Sequence, residues 1–298
     1  MKKFIIFALT VVLALFLAAC GGGNNNGGDP KNTNNGGNPA VSGNDTSIPP
    51  DPGFGTSSFQ YVNNGTTYTD EMQIAFSLSD RPSTVTLISG TVHEGTEQNC
   101  SLSIGGEEDS KNVTLDLSGT TFTVRQSDEH GGSGGLWFQY VNFKRINGKL
   151  NVYSLFESGV WCVGSDAEVD DIVSAWGAVV CEPDYMGTGS NLLVHGNVFT
   201  TGKNPGSATT AVDCKGAGCE VTIKGNVNSA TAGVFVTDGG KVIIDGVMTV
   251  AEGSPYVKFK NGGEIITKNI DEYDSASQKS GYRQYSGGNP VSYVWVKE

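Results

Sequence analysis

Four segments of one pattern decide the fold: LLVHGNV at 192–198, VTIKGNV at 221–227, VIIDGV at 242–247 and IITKNI at 265–270. Their corner residues Gly196, Gly225, Gly246 and Asn269 stand 29, 21 and 23 positions apart. A second segment recurs between them: AVDC at 211–214, GVFV at 233–236 and YVKF at 256–259. Each of these runs into a turn, KGAG at 215–218, DGG at 238–240 and NGG at 261–263. The unit is therefore strand, Gly-rich turn, strand, Gly/Asn corner, about every 22 residues. β-Branched residues in short alternating runs favour sheet over helix. One such pair cannot bury its inner face alone, whereas stacked copies can. A Gly or Asn at the corner permits φ > 0 and a sharp bend. The expected product is a parallel β-solenoid growing about 4.8 Å per coil.

The pattern reaches further back. VTLISGTV at 85–92 and VTLDLSGT at 113–120 both set an alternating strand before a Ser-Gly-Thr corner, and 70–79 has apolar spacing suited to a short capping helix. Together these stretches resemble the right-handed parallel β-helix of the pectin lyase-like superfamily, over roughly 70 to 270. The resemblance implies an all-β, right-handed parallel β-helix for 57–270, with 271–298 as a C-terminal cap or tail. The stretch 126–189 is aromatic-rich and less regular, which leaves one alternative: an N-terminal β-sandwich over 57–185 followed by a short C-terminal β-solenoid.

The N-terminus carries a different message. Lys2 and Lys3 precede an apolar run from Phe4 to Leu17, then Ala18 and Ala19 lead to Cys20. That order is a secretion signal, and the run is short of the ~20 residues a spanning helix needs. Leu17-Ala18-Ala19-Cys20 resembles the lipobox of bacterial lipoproteins, which implies cleavage after 19 and lipidation of Cys20. Two or three acyl chains would then hold the chain at a membrane. The expected location is the cell envelope, at the outer membrane or cell surface in an organism with two membranes. Residues 21–56 are dominated by Gly and Asn and lack the apolar groups to form a core. As a coil this tether would span roughly 33 Å.

The chain has 19 basic and 31 acidic residues, a formal net charge of −12. Such a surface argues against nucleic acid, which demands basic patches. It is compatible with bound Ca²⁺, for which Asp166, Glu168, Asp170 and Asp171 are the candidates. No other cofactor is indicated. Export permits disulfides. Cys214 and Cys219 flank a turn sequence, and Cys162 with Cys181 is the next pair, leaving Cys100 odd.

Catalytic signatures are absent. The superfamily's polygalacturonase-like members carry Asn-Thr-Asp, Gly-His-Gly and Arg-Ile-Lys, none of which occurs here. Asp170-Asp171 is the one tandem aspartate, and adjacency alone does not set two carboxylates across a glycosidic bond. His195, Lys224 and Asp245 share one slot of the repeat, which marks that slot as outward-facing and solvated. Trp137, Tyr140, Lys144, Arg145 and Trp161 are the candidate binding residues, since aromatic rings stack on sugars and partner side chains. The expected function is a membrane-anchored lipoprotein displaying a non-catalytic β-helix to a glycan or surface protein, for adhesion or envelope structure. The alternative is a polysaccharide lyase or glycoside hydrolase of the β-helix class.

Overall fold

The computed structural model describes residues 47–53, 60–63, 65–69, 83–94, 102–105, 111–126, 134–155, 158–202 and 210–298. The signal, Cys20, most of the tether, the helix expected over 70–79 and Cys100 lie outside the described residues.

A hairpin, β1 (Gln60–Asn63) and β2 (Thr66–Thr69), comes first. Among the described residues seven coils follow, each laying one strand in each of three sheets, A, B and C. The first coil is β3 (Ser83–Ser89), β4 (Val92–Glu94) and β5 (Leu102–Gly105). The second is β6 (Lys111–Asp116), β7 (Thr121–Gln126) and β8 (Leu136–Gln139). The third is β9 (Val141–Ile146), β10 (Lys149–Ser154) and β11 (Val160–Val163). The fourth is β12 (Asp166–Val169), β13 (Ile172–Ser174) and β14 (Val179–Glu182). The fifth is β15 (Asn191–Val194), β16 (Val198–Thr200) and β17 (Thr210–Lys215). The sixth is β18 (Glu220–Ile223), β19 (Val227–Ser229) and β20 (Ala232–Thr237). The seventh is β21 (Lys241–Ile244), β22 (Met248–Val250) and β23 (Val257–Asn261). The chain ends with β24 (Glu264–Lys268), β25 (Tyr282–Gly287) and β26 (Ser292–Lys297).

Strands of successive coils pair in parallel, so the chain is an all-β parallel solenoid from β3 to β23. The aromatic-rich middle belongs to the same stack, and no separate sandwich forms there. Its residues obey the period of two: Leu136 and Phe138 are buried while Trp137 and Gln139 face out. Inward residues make unbroken columns. In sheet B one column is Val124, Val152, Ile172, Val198, Val227 and Met248. In sheet C another is Phe138, Cys162, Cys181, Cys214, Val236 and Phe259. All twelve of these apart from Val152 and Met248 are fully buried, and those two are 1% and 2% exposed. Each such side chain contributes about 1.5–3 kcal/mol by leaving water.

Two features differ from the sequence reading. The unit has three strands rather than two, because LLVHGNV is not one strand. It breaks at Gly196-Asn197 into β15 and β16, which lie in different sheets. IITKNI is not a fourth copy: β24 runs antiparallel on β23, joined only by Gly262-Gly263. A two-residue loop with φ of +60° at Gly262 makes a hairpin, and no parallel crossover is that short. The place beyond β21 in sheet A is taken by β26, which pairs with it in parallel (Val242 with Val294) and antiparallel with β25.

The corner between sheets A and B also works differently. Gly196, Gly225 and Gly246 are not in the left-handed region. Instead successive coils touch there. Asp171 Oδ1 accepts from Asn197 N (2.7 Å), Asn197 Oδ1 from Asn226 N (2.9 Å), and Asn226 Oδ1 from Val247 N (2.8 Å). A Cβ on Gly225 would collide with the Gly196 carbonyl oxygen and sit 2.6 Å from Asn197 Oδ1. Glycine is required by close approach, and the carboxylate and amides form a ladder up the edge.

The end of the expected tether is docked rather than free. Asp51 grips Arg125 in two places, Oδ1 to Nε at 2.7 Å and Oδ2 to Nη2 at 2.8 Å. The Arg125 side chain, in β7 of sheet B, is 4% exposed. A bidentate pair of this kind is among the stronger polar contacts available to a side chain.

Candidate functional site

The outward residues of sheet A form the most developed face. One row crosses five coils in register: Asn112 in β6, Asn142 in β9, Asp166 in β12, Asn191 in β15 and Glu220 in β18. Its members are linked where amide meets oxygen. Asn142 Nδ2 donates to Asn112 Oδ1 at 3.2 Å, and Asn191 Nδ2 donates to Asp166 Oδ1 at 2.7 Å. Two residues further along the same strands lie Lys144, Glu168, Leu193 and Thr222. These two rows line a groove of about 700 Å³ that runs along the solenoid.

The third position closes the groove with a hydrogen bond and an ion pair. His195 Nε2 meets Glu168 Oε2 at 2.7 Å, and Lys224 Nζ meets Asp245 Oδ2 at 2.8 Å. The three residues of the shared slot, His195, Lys224 and Asp245, are 22–49% exposed, and Glu168 is 23% exposed. Burial alone would raise the Asp245 carboxyl. Hydrogen bonds from Lys224 and Tyr282, with the Lys224 charge, outweigh it and hold the group below its ordinary value. Tyr282 is pushed up to about 12, first by its bond to Asp245 and then by burial.

The residues singled out from sequence separate onto different surfaces. Lys144, Asp166 and Glu168 line the groove. Tyr140 forms a one-residue corner between β8 and β9, with φ of +52°, two positions before Asn142. Its ring meets the ring of Tyr185 edge-on at 6.3 Å. Tyr185 and Met186 are 73% and 75% exposed at the tip of a turn, where Asp184 Oδ1 takes the amides of Met186 and Thr188. Trp137 and Trp161 lie on sheet C instead, stacked with centroids 5.4 Å apart, and Trp161 Nε1 donates to Glu182 Oε1 at 2.9 Å.

Arg145 and Asp170 pair with each other at 2.7 Å, with side chains 18% and 6% exposed. Arg145 Nη1 also donates to the Gly148 carbonyl, and Asp170 Oδ2 accepts the Leu150 amide at 2.7 Å. Asp171 is engaged by the corner ladder. Arg145, Asp170 and Asp171 are thus fastenings of the corner, which leaves Asp166 and Glu168 as the candidate oxygens on an open face. Among the described residues no three His, Cys, Asp or Glu side chains are placed to hold a metal ion.

The cysteine expectation is corrected. Cys162, Cys181, Cys214 and Cys219 are all free and buried, so neither the 214–219 nor the 162–181 disulfide is present. Across the corner the two thiols address different coils. Cys214 Sγ donates to the Lys241 carbonyl at 3.4 Å, while Cys219 Sγ accepts the Ser190 amide at 3.4 Å. Cys162 and Cys181 are register partners, yet each donates to a backbone carbonyl, Ser165 and Ser190 respectively. Hydrogen bonds with the thiols of Cys162, Cys214 and Cys219, then burial, push the Cys181 thiol well up. The neighbouring Cys181 thiol and the Ser190 amide that donates to it lower the Cys219 thiol.

The sequence reading missed Asn112, Asn142, Asn191 and Glu220. A partial signal existed: Asn112, Asn191 and Glu220 each immediately precede an apolar–x–apolar triplet that fills the core (VTL, LLV and VTI), whereas Asn142 precedes Phe143-Lys144-Arg145. No protein family, curated protein or solved structure matches the chain.

Proposed function

We propose that this chain is a lipid-anchored envelope protein whose solenoid displays sheet A to an extended glycan. The observation that carries the reading is the in-register row Asn112–Asn142–Asp166–Asn191–Glu220 along an open groove. Polar groups repeated at the coil spacing suit a polymer that repeats along its own length, and the coil step of about 4.8 Å is comparable to one pyranose ring. The lipobox-like Leu17-Ala18-Ala19-Cys20 supports attachment through Cys20. The paired carboxylates expected of a hydrolase find no support at Asp170-Asp171, which are fastened into the corner.

Glycan-array binding by the full chain, compared with Asn142→Ala/Asn191→Ala, tests the display reading. Binding that falls at least tenfold in the variant supports it; no glycan bound, or binding unchanged by the substitutions, refutes it. Palmitate incorporation lost in Cys20→Ala tests the anchor separately. Release of reducing ends or unsaturated uronates from any bound polysaccharide would replace display with catalysis.

A further inference from the structure

The groove's charge and hydrogen-bonding character restrict what kind of glycan it can take. Three carboxylates line it, Asp166, Glu168 and Glu220, against the cations Lys144 and Lys224. Lys224 is neutralised by Asp245 at 2.8 Å. Among the described residues Lys144, and Lys241 next to Glu220 where the row continues into β21, are the cations left to oppose three anions, and the chain as a whole carries a net charge of −12. An excess of one sign of charge in a cleft focuses its field on whatever enters.

Hydrogen-bond bookkeeping points the same way. Each carboxylate can accept at about four lone-pair sites and donates nothing. Asp166 has one accounted for by Asn191, and Glu168 one by His195. The Asn142 and Asn191 amides each commit an N–H within the row. Lys144, Lys224, Thr222 and the remaining amide N–H groups still donate, but the three carboxylates leave the floor with more acceptors than donors, which favours a ligand that brings donors. Sugar hydroxyls, amide N–H groups and amines do so. A uronate carboxylate brings more acceptors and a like charge.

We infer that the sheet A groove selects donor-rich glycans, neutral or amine-bearing, and rejects polyuronates. This rests on the reading of sheet A as a glycan-binding face. The row spans four coil-to-coil steps, about 19 Å, so several sugar rings would contact it at once.

The test is calorimetric titration of the full chain with neutral gluco-oligosaccharides, N-acetylated chito-oligosaccharides and oligogalacturonates of equal length. At least one of the first two should bind tenfold or more tightly than the uronate, with the gap narrowing at high salt as screening shortens the field. Asp166→Asn/Glu168→Gln/Glu220→Gln changes charge on outward-facing side chains and leaves the core intact. In that variant the uronate should gain at least tenfold while the preferred glycan changes severalfold. A wild-type preference for uronate, or a selectivity ratio unmoved by the triple variant, overturns the inference while leaving glycan display standing. Failure to bind any of the three classes, or any glycan on the array, removes the display reading and the inference together.

Discussion

Replacing Asp170 by alanine separates a structural carboxylate from a ligand-binding one. The side chain is 6% exposed, accepts the Leu150 amide at 2.7 Å and pairs with Arg145 at 2.7 Å. Its removal orphans a buried amide, worth about 1–3 kcal/mol. It also strips the partner from a guanidinium in a setting where breaking a buried pair costs about 3–5 kcal/mol. Arg145 is 18% exposed and can turn partly to water, so the two terms overlap and the net loss should be about 3 kcal/mol. With a urea m-value of about 3 kcal/mol/M for a body of this size, the unfolding midpoint should fall by about 1 M. Asp170→Asn keeps an acceptor for Leu150 and loses only the charge, so it should recover roughly half of that loss. Urea unfolding of wild type and both variants at neutral pH, with and without Ca²⁺, provides the assay. A midpoint within about 0.2 M of wild type, below 1 kcal/mol at that slope, would refute the corner-fastening argument. So would a Ca²⁺-dependent stabilisation of wild type that Asp170→Ala abolishes.

Other consequences can be checked independently. Gly225→Ala should destabilise by about 2 kcal/mol or more, because the new methyl meets backbone that cannot shift without its neighbours, whereas Gly263→Ala meets nothing within 4 Å and should be near neutral; equal effects in thermal melts would contradict the close-approach account. Non-reducing peptide mapping should find Cys162, Cys181, Cys214 and Cys219 as thiols that alkylate only after denaturation, and a linked 214–219 peptide would overturn the ladder. Asp245 is held below its ordinary value, so its contribution to stability is present above pH of about 4 and is lost as pH falls through the lowered folded value. Tyr282, raised to about 12, contributes below its ordinary value of 10.0 and fades as pH climbs through about 12. Tyr282→Phe should therefore move the Asp245 carboxyl upward in a carbon-13 titration, and an unmoved curve would sink the assignment.

Much of the body was legible in the sequence because its core columns are written in β-branched residues at a period of two. The coil count was not. Register partners lie 21 residues apart between Val221 and Val242 but 29 between Leu192 and Val221 and 25 between Ala167 and Leu192. Insertions fall at the corners, where they cost the stack little and blur the repeat. IITKNI looked like a rung because strand composition cannot tell a parallel partner from an antiparallel one; Gly262-Gly263 decides that, by being too short to cross over. The binding face was harder still. Lys144 was found through its charge, but Asn112, Asn142 and Asn191 become a row only once the coils are superposed; the apolar–x–apolar triplet after Asn112 and Asn191 marks a strand start without showing that successive starts align. The cysteines misled for a related reason: neighbours across a corner, such as Cys214 and Cys219, serve different coils.

The clasp between Asp51 and Arg125 has a mechanical meaning. Tension applied to the chain ahead of residue 47 reaches Asp51 before it reaches the terminal hairpin. A hairpin loaded from its free strand yields one hydrogen bond at a time, like a zip. Here the load passes first into a buried guanidinium in the second coil, through two bonds that must break together. The ion pair therefore acts as a strain relief, shielding β1 and β2 from forces that would otherwise unravel the solenoid from its first strand.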